Sequence, residues 1–219
     1  MPVRHIVFDC DGVLVDSELI LSDLEVGLAR RIGVTMPPAE MHRRFLGRTA
    51  FDQWTELARE YRVELPADFH AVRVREAKEA LSARLKPVAG VPETLARIDQ
   101  KMTCASNSDK EMLEHKLKVA GILHHFGDRT ISYEEVARPK PAPDMYCEAV
   151  ARSGLPVSGT VVVEDTKTGA SAAIAAGIRV IGFIGGDHAT PEMAEELKEA
   201  GAFTLVDDFR RLPDLITGL

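Results

Sequence analysis

The sequence predicts an α/β protein with a parallel sheet and a block of helices inserted after the first strand. Three observations predict it. Short apolar runs alternate with stretches of helical composition, the pattern of buried strands joined by helical crossovers. The runs end in polar or acidic residues, as strands do when a site lies at their carboxyl ends. Residues 17–86 break the alternation and are rich in Leu, Ala, Glu and Arg at helical spacing.

In chain order, His5–Phe8 reads as a buried strand that stops at Asp9. Ser17–Lys86 reads as all-helical, interrupted at Pro37-Pro38 and again at Pro66. Both ends of this block lie near the tip of the first strand, so it is placed to act as a lid. Thr103–Ala105 is the next strand, ending at Ser106, and Asp109–Ala120 the helix after it. Val161–Val163 runs into Glu164 and Asp165, followed by a helix over Gly169–Ala176, and Val180–Phe183 is a further strand. The expected organisation is a catalytic core of residues 1–16 and 87–219 with a helical cap of residues 17–86.

Composition narrows the function classes. A length of 219 residues suits one large domain or a core with a smaller one, and 45% hydrophobic residues suffice for a proper core. A net charge of -7 argues against a nucleic-acid partner, which calls for a basic face. The insertion is close to neutral, at +1, and the remainder carries -8. A relatively basic lid over an acidic core suits an anionic substrate, although solvated helix faces give the same counts. No apolar run approaches the ~20 residues of a membrane span, and the N-terminus reads as a strand, not a secretory signal. Cys10, Cys104 and Cys147 are odd in number and lack metal-ligand spacing. The expectation is a reduced, cytoplasmic protein with no membrane partner.

Four motifs carry the chemistry. In Asp9-Cys10-Asp11-Gly12, residues two apart on a strand share a face, so Asp9 and Asp11 can meet one ligand, and Gly12 lets the chain turn. One carboxylate can attack phosphorus while the other protonates the leaving oxygen and later activates water. The same residues could simply cap a turn. Cys10 points away from the pair and reads as a small buried residue. Ser106-Asn107-Ser108-Asp109 offers a hydroxyl and main-chain N–H groups to a phosphate oxygen, or an ordinary helix N-cap by Asn107 or Ser108. Three prolines around Lys140 stiffen a loop that could fix its ammonium against a carboxylate and a phosphoryl oxygen, or leave it as a solvated surface lysine. Glu164-Asp165 directly after a buried strand is costly without a cation, and Mg²⁺ prefers such oxygen ligands; an acidic N-cap is the plainer reading. Ionised Asp9, Glu164 and Asp165 beside a phosphate dianion would require both the metal and Lys140.

Together these motifs resemble the haloacid dehalogenase-like superfamily, in order and spacing, over nearly the whole chain. The insertion resembles the small helical cap of its beta-phosphoglucomutase and sugar-phosphate phosphatase subgroup. The resemblance implies a Rossmann-like core, Asp9 as nucleophile, Asp11 as acid/base, and phosphate held by Ser106, Asn107 and Lys140. It implies Mg²⁺ on Asp9, the Asp11 carbonyl and Asp165, with Glu164 binding directly or through water. Gly47-Arg48-Thr49 resembles the family's specificity loop, which makes Arg48 a candidate substrate contact. Asp11 argues against dehalogenases, which lack it, and against phosphonatases, which carry Ala there. Leu21 stands where beta-phosphoglucomutases carry a histidine. Pro139 and Thr166 replace the usual Gly and Ser. The expected function is a Mg²⁺-dependent phosphatase acting on a small phosphorylated metabolite, a sugar or sugar-acid phosphate, through a phosphoryl-aspartate. A phosphosugar mutase and a non-catalytic sugar-phosphate binding module are the alternatives. A monomer is expected, with a homodimer as the alternative.

Overall fold

The structure, a computed structural model, describes residues 2–219. Six parallel strands form one sheet: β1 (His5–Phe8), β2 (Lys101–Ser106), β3 (Thr130–Ser132), β4 (Thr160–Glu164), β5 (Arg179–Phe183) and β6 (Thr204–Val206). Their spatial order is β3-β2-β1-β4-β5-β6. The order reverses at β1, which lies between β2 and β4, and such a reversal opens a crevice at the strands' carboxyl ends. The expected α/β fold with a parallel sheet is thus the observed one.

Strand periodicity distributes the core. Ile6 and Phe8 face one side with Cys104, Val161, Val163 and Ile181; Val7 faces the other with Ala105, Val162 and Val180. Both faces are covered, which is why β1 reads as an unbroken apolar run rather than an alternating one. On the first face lie α5 (Val91–Leu95), α6 (Lys110–Val119) and α10 (Leu212–Thr217). The second carries α7 (Asp144–Ser153), α8 (Lys167–Ala175) and α9 (Pro191–Ala200).

Between β1 and α5 the chain forms four helices: α1 (Glu18–Arg31), α2 (Pro38–Phe45), α3 (Ala50–Tyr61) and α4 (Phe69–Arg84). Helix α2 starts at the expected proline break, and Pro66 lies in the turn before α4. These helices enclose an apolar cluster of their own, built on Val26, Leu28, Met41, Phe45, Trp54, Leu57 and Phe69. Its polar centre is Glu25, which accepts from Trp54 Nε1 and Arg73 Nε, each at 2.8 Å.

Two local expectations change. Strands β3 and β6 span three residues each, too few to mark themselves as periodic runs. Helix α6 is capped not by Asn107 or Ser108 but by Asp109, whose carboxylate accepts from Met112 N at 2.8 Å.

Candidate active site

The sheet order sets Asp9, Ser106 and Glu164-Asp165 side by side, because each follows or ends one of three adjacent strands. Past Asp9 the chain must turn at once, and Gly12 makes that possible at φ +76°. A Cβ at Gly12 would also lie 2.1 Å from Asp165 Oδ2, so the turn and the close approach both exclude a side chain.

Two buried lysines divide the carboxylates. Lys140 Nζ reaches Asp9 Oδ1 at 2.5 Å, Glu164 Oε1 at 2.7 Å and the Ala105 carbonyl at 2.9 Å. Lys116 Nζ reaches Asp11 Oδ1 at 2.5 Å and Ser108 Oγ at 2.7 Å. Asp11 also accepts from Ser17 Oγ, Ser106 Oγ and Ser108 Oγ. The two aspartates consequently part company. Burial pushes the Asp9 carboxyl well above its usual range, against the pull of Lys140 and with the help of Glu164. Burial pushes Asp11 the same way, but Lys116 and the donated hydroxyls outweigh it and hold Asp11 below the ordinary value. Burial likewise works against the Lys140 ammonium, yet Asp9 and Glu164 raise it well above a normal lysine.

The residues at the end of β4 have distinct environments. Glu164 is fully engaged: Oε1 accepts from Lys140 and, at 2.7 Å, from Tyr146, while Oε2 accepts from Asp165 N, Thr166 N and Thr166 Oγ1. Its carboxylate packs directly against Gly169, where a Cβ would fall 1.7 Å from Oε1. The plainer reading of this pair as an acidic cap gives way to Thr166, which caps α8 through Gly169 N. Asp165 leaves Oδ1 buried without a partner. Burial, then the Glu164 charge, raises its carboxyl well above the usual range. Oxygen atoms of Asp9, Glu164 and Asp165 lie within 4.8 Å of one another. Close, buried, hard oxygen donors with one left orphaned fit a small divalent cation such as Mg²⁺.

Asn107 and Arg48 are brought to the site but not left free. Asn107 Nδ2 donates to the carbonyls of Gly47 and Lys140, and Oδ1 accepts from Lys140 N. Its side chain therefore pins the lysine loop and ties it to the helical insertion. Arg48 lines the same cavity of about 120 Å³ as Asp9 and Asp11, with Nη1 on Glu56 Oε2 at 2.7 Å. Sequence reasoning missed Lys116, Ser17, Tyr146, His188 and Glu18. Lys116 carried a signal, as it shares the buried face of α6 with Met112, Leu113 and Leu117. Glu18, on the cavity wall, is raised to about 8 by burial and then by the Asp11 charge.

The family profile of haloacid dehalogenase-like hydrolases matches residues 3–177. The chain belongs to the haloacid dehalogenase-like hydrolases. It is 30% identical to the 6-phosphogluconate phosphatase of Escherichia coli (strain K12), over 86% of each chain. It is 29% identical to the phosphorylated carbohydrates phosphatase of Thermotoga maritima, over 93% of this chain and 94% of that one. A haloacid dehalogenase-like protein of unknown function from Agrobacterium tumefaciens has the same fold, with a TM-score of 0.83 and 33% identity over 99% and 98% of the two chains. The expectation of a phosphoric monoester hydrolase stands with the family and with the two phosphatases. No helix among the described residues is long and apolar enough to cross a membrane.

Proposed function

We propose that this hydrolase removes phosphate from a small phosphorylated metabolite, a sugar or sugar-acid phosphate, through a phosphoryl-aspartate on Asp9. The observation that carries the reading is the separation of Asp9 and Asp11, two residues apart, into different charge environments. Paired titratable groups held apart in this way mark divided roles. Burial leaves Asp9 raised, whereas burial of Asp11 is outweighed by Lys116, which leaves it lowered. A divalent cation on Asp9 with a phosphate dianion beside Asp11 would move each toward the carboxylate and the acid that these roles need. Asp9 Oδ attacks phosphorus, the bond to the ester oxygen breaks, and a proton from Asp11 goes to that oxygen. Asp11, now a carboxylate, takes a proton from water as the water attacks the acyl phosphate and frees Asp9. Lys140, on Asp9, would offset charge on a phosphoryl oxygen as well, and Ser106, which donates to Asp11, would turn its hydroxyl to the phosphate.

Asp9, the Asp11 carbonyl and Asp165 would hold Mg²⁺, with Glu164 contributing through water because its own oxygens are engaged. Bound there, the ion would supply charge neutralisation and Lewis-acid polarisation of the phosphoryl group. Residues 17–86 act as the cap, with Glu18, Ser22, Arg48 and Gln53 among the cavity-lining residues that choose the alcohol portion of the substrate. The 6-phosphogluconate and phosphorylated-carbohydrate phosphatases support a polyhydroxylated substrate. A mutase would need to shield the acyl phosphate from water; Leu21, on the cavity wall and packed on the core, offers no imidazole for that purpose.

The test is phosphate release across a panel of sugar and sugar-acid phosphates, with Mg²⁺ and after chelation. Release is expected to need Mg²⁺ and to vanish in Asp9→Asn. Full activity of Asp9→Asn would remove the nucleophile assignment, and isomerised sugar phosphate outpacing free phosphate would establish a mutase instead.

A further inference from the structure

We propose that His188 is a positioning residue for the metal site: it occupies one oxygen of Asp165 so that the other is presented to the cation. The inference rests on the reading of Asp165 as an Mg²⁺ ligand and adds a residue that no motif supplies. His188 lies in the loop after β5, and its side chain is 2% exposed. Its Nε2 lies 2.8 Å from Asp165 Oδ2. In this arrangement Nε2–H donates to the carboxylate.

The surroundings are built for this pair. Three polar atoms without a partner occur together here: Asp165 Oδ1, His188 Nδ1 and Nε2 of His42 on α2. The His42 ring stands edge-on to His188 at 5.7 Å, so the helical insertion closes the far side of the imidazole. Two glycines from different strand ends make the room. A Cβ on Gly12 would fall 2.4 Å from His188 Cε1, and one on Gly186 would fall 3.0 Å from the same atom. A buried carboxylate oxygen with no donor is costly, and a divalent cation offsets that cost. Without His188, both oxygens of Asp165 would compete for the ion in more than one orientation. Partners that orient a ligand in this way are typically worth about 10–100-fold in metal affinity.

The experiment measures Mn²⁺ binding to the metal-free full-length chain, from the loss of the free-ion electron paramagnetic resonance signal, with melting curves to verify the fold. His188→Leu is expected to weaken binding by about 10–100-fold. His188→Gln is expected to stay within about threefold of wild type, because its amide N–H extends to the place of Nε2 and can donate to Asp165 as the ring does. His188→Asn, one carbon shorter, is expected to behave like Leu, and the Gln/Asn pair carries the test where Leu fails to fold. Undiminished Mn²⁺ affinity in Leu or Asn, or a Gln variant as weak as Leu, overturns the inference alone. A wild-type chain that binds no Mn²⁺ overturns the metal reading and the inference with it.

Discussion

Replacing Lys116 by Met keeps most of the side-chain volume and removes one buried charge. In the wild-type structure that charge lies 2.5 Å from Asp11 Oδ1 and is itself 1% exposed. Breaking a buried pair by deleting one partner costs about 3–5 kcal/mol, because the survivor stays buried and uncompensated. The Asp11 side chain keeps 14% exposure and three hydroxyl donors, which places the loss at the low end, about 3 kcal/mol. For a chain of this length that is a Tm lower by roughly 6–12 °C. The pH dependence follows from the direction of the Asp11 shift. A carboxyl depressed on folding contributes stability above its unfolded-state pKa, about 4, and loses it as pH falls through the folded-state value. The Tm gap between wild type and Lys116→Met is therefore full at pH 7 and closes in more acid solution. Catalysis should divide as well. With Lys116 gone, burial raises Asp11 against the hydroxyl donors alone, which in the proposed mechanism favours the acid needed for phosphoryl transfer and starves the base needed for hydrolysis of the acyl phosphate. At pH 7, kcat falls by about 10–100-fold while kcat/KM stays within a few-fold. Melting curves from pH 7 downward and steady-state kinetics test both parts. Equal Tm at pH 7, or a gap that persists in acid, refutes the account of Asp11.

Two further substitutions probe the scaffold. Glu25→Ala strands the Arg73 guanidinium and Trp54 Nε1 inside the helical insertion, at a cost of about 3–5 kcal/mol; differential scanning calorimetry should show Tm down by roughly 6–20 °C. Gly12→Ala forces a Cβ into Asp165 and His188 and strains a positive φ by about 1–3 kcal/mol. Phosphate release should then fall at least tenfold, with activation requiring a higher Mg²⁺ concentration, read from an Mg²⁺ titration of the rate.

What could be read from the sequence divides by the range of the interaction. β1, β2, β4 and β5 were legible because each buries a run of apolar residues, and the first three stop at a polar one. β3 and β6 were not, because three residues carry no period. Asp9, Asp11, Ser106, Lys140, Glu164 and Asp165 were legible because each sits in a short local pattern whose chemistry is visible before folding. Lys116 and His188 meet the site from a helix face and a loop, 105 and 23 residues from their partners. Such distances are closed only by tertiary packing. Asn107 shows a subtler limit. Its place at the site was legible, but its role as the clamp between the Lys140 loop and Gly47 depends on contacts 33 and 60 residues away.

The two lysines explain how residues two positions apart can hold opposite duties. Lys140 is bracketed by Asp9 and Glu164, whose oxygens form the cluster suited to a cation. Lys116 is bracketed by Asp11 and Ser108. Positive charge is thus supplied twice, from separate helices and loops, to carboxylates that would otherwise raise one another's pKa values in a shared cavity. Lys116 and the hydroxyl donors favour Asp11 as a carboxylate, while the proposed first step asks it for a proton. A phosphate dianion arriving beside Asp11 adds negative charge and pushes its pKa up, so the substrate itself favours loading of that proton. In the proposed mechanism, once the phosphoryl group is on Asp9 and the alcohol has left with the proton, Lys116 again favours the carboxylate, the form that would activate water. The same lysine that makes Asp11 a reluctant acid therefore makes it a ready base, and in the proposed mechanism it would bias the acyl phosphate toward hydrolysis.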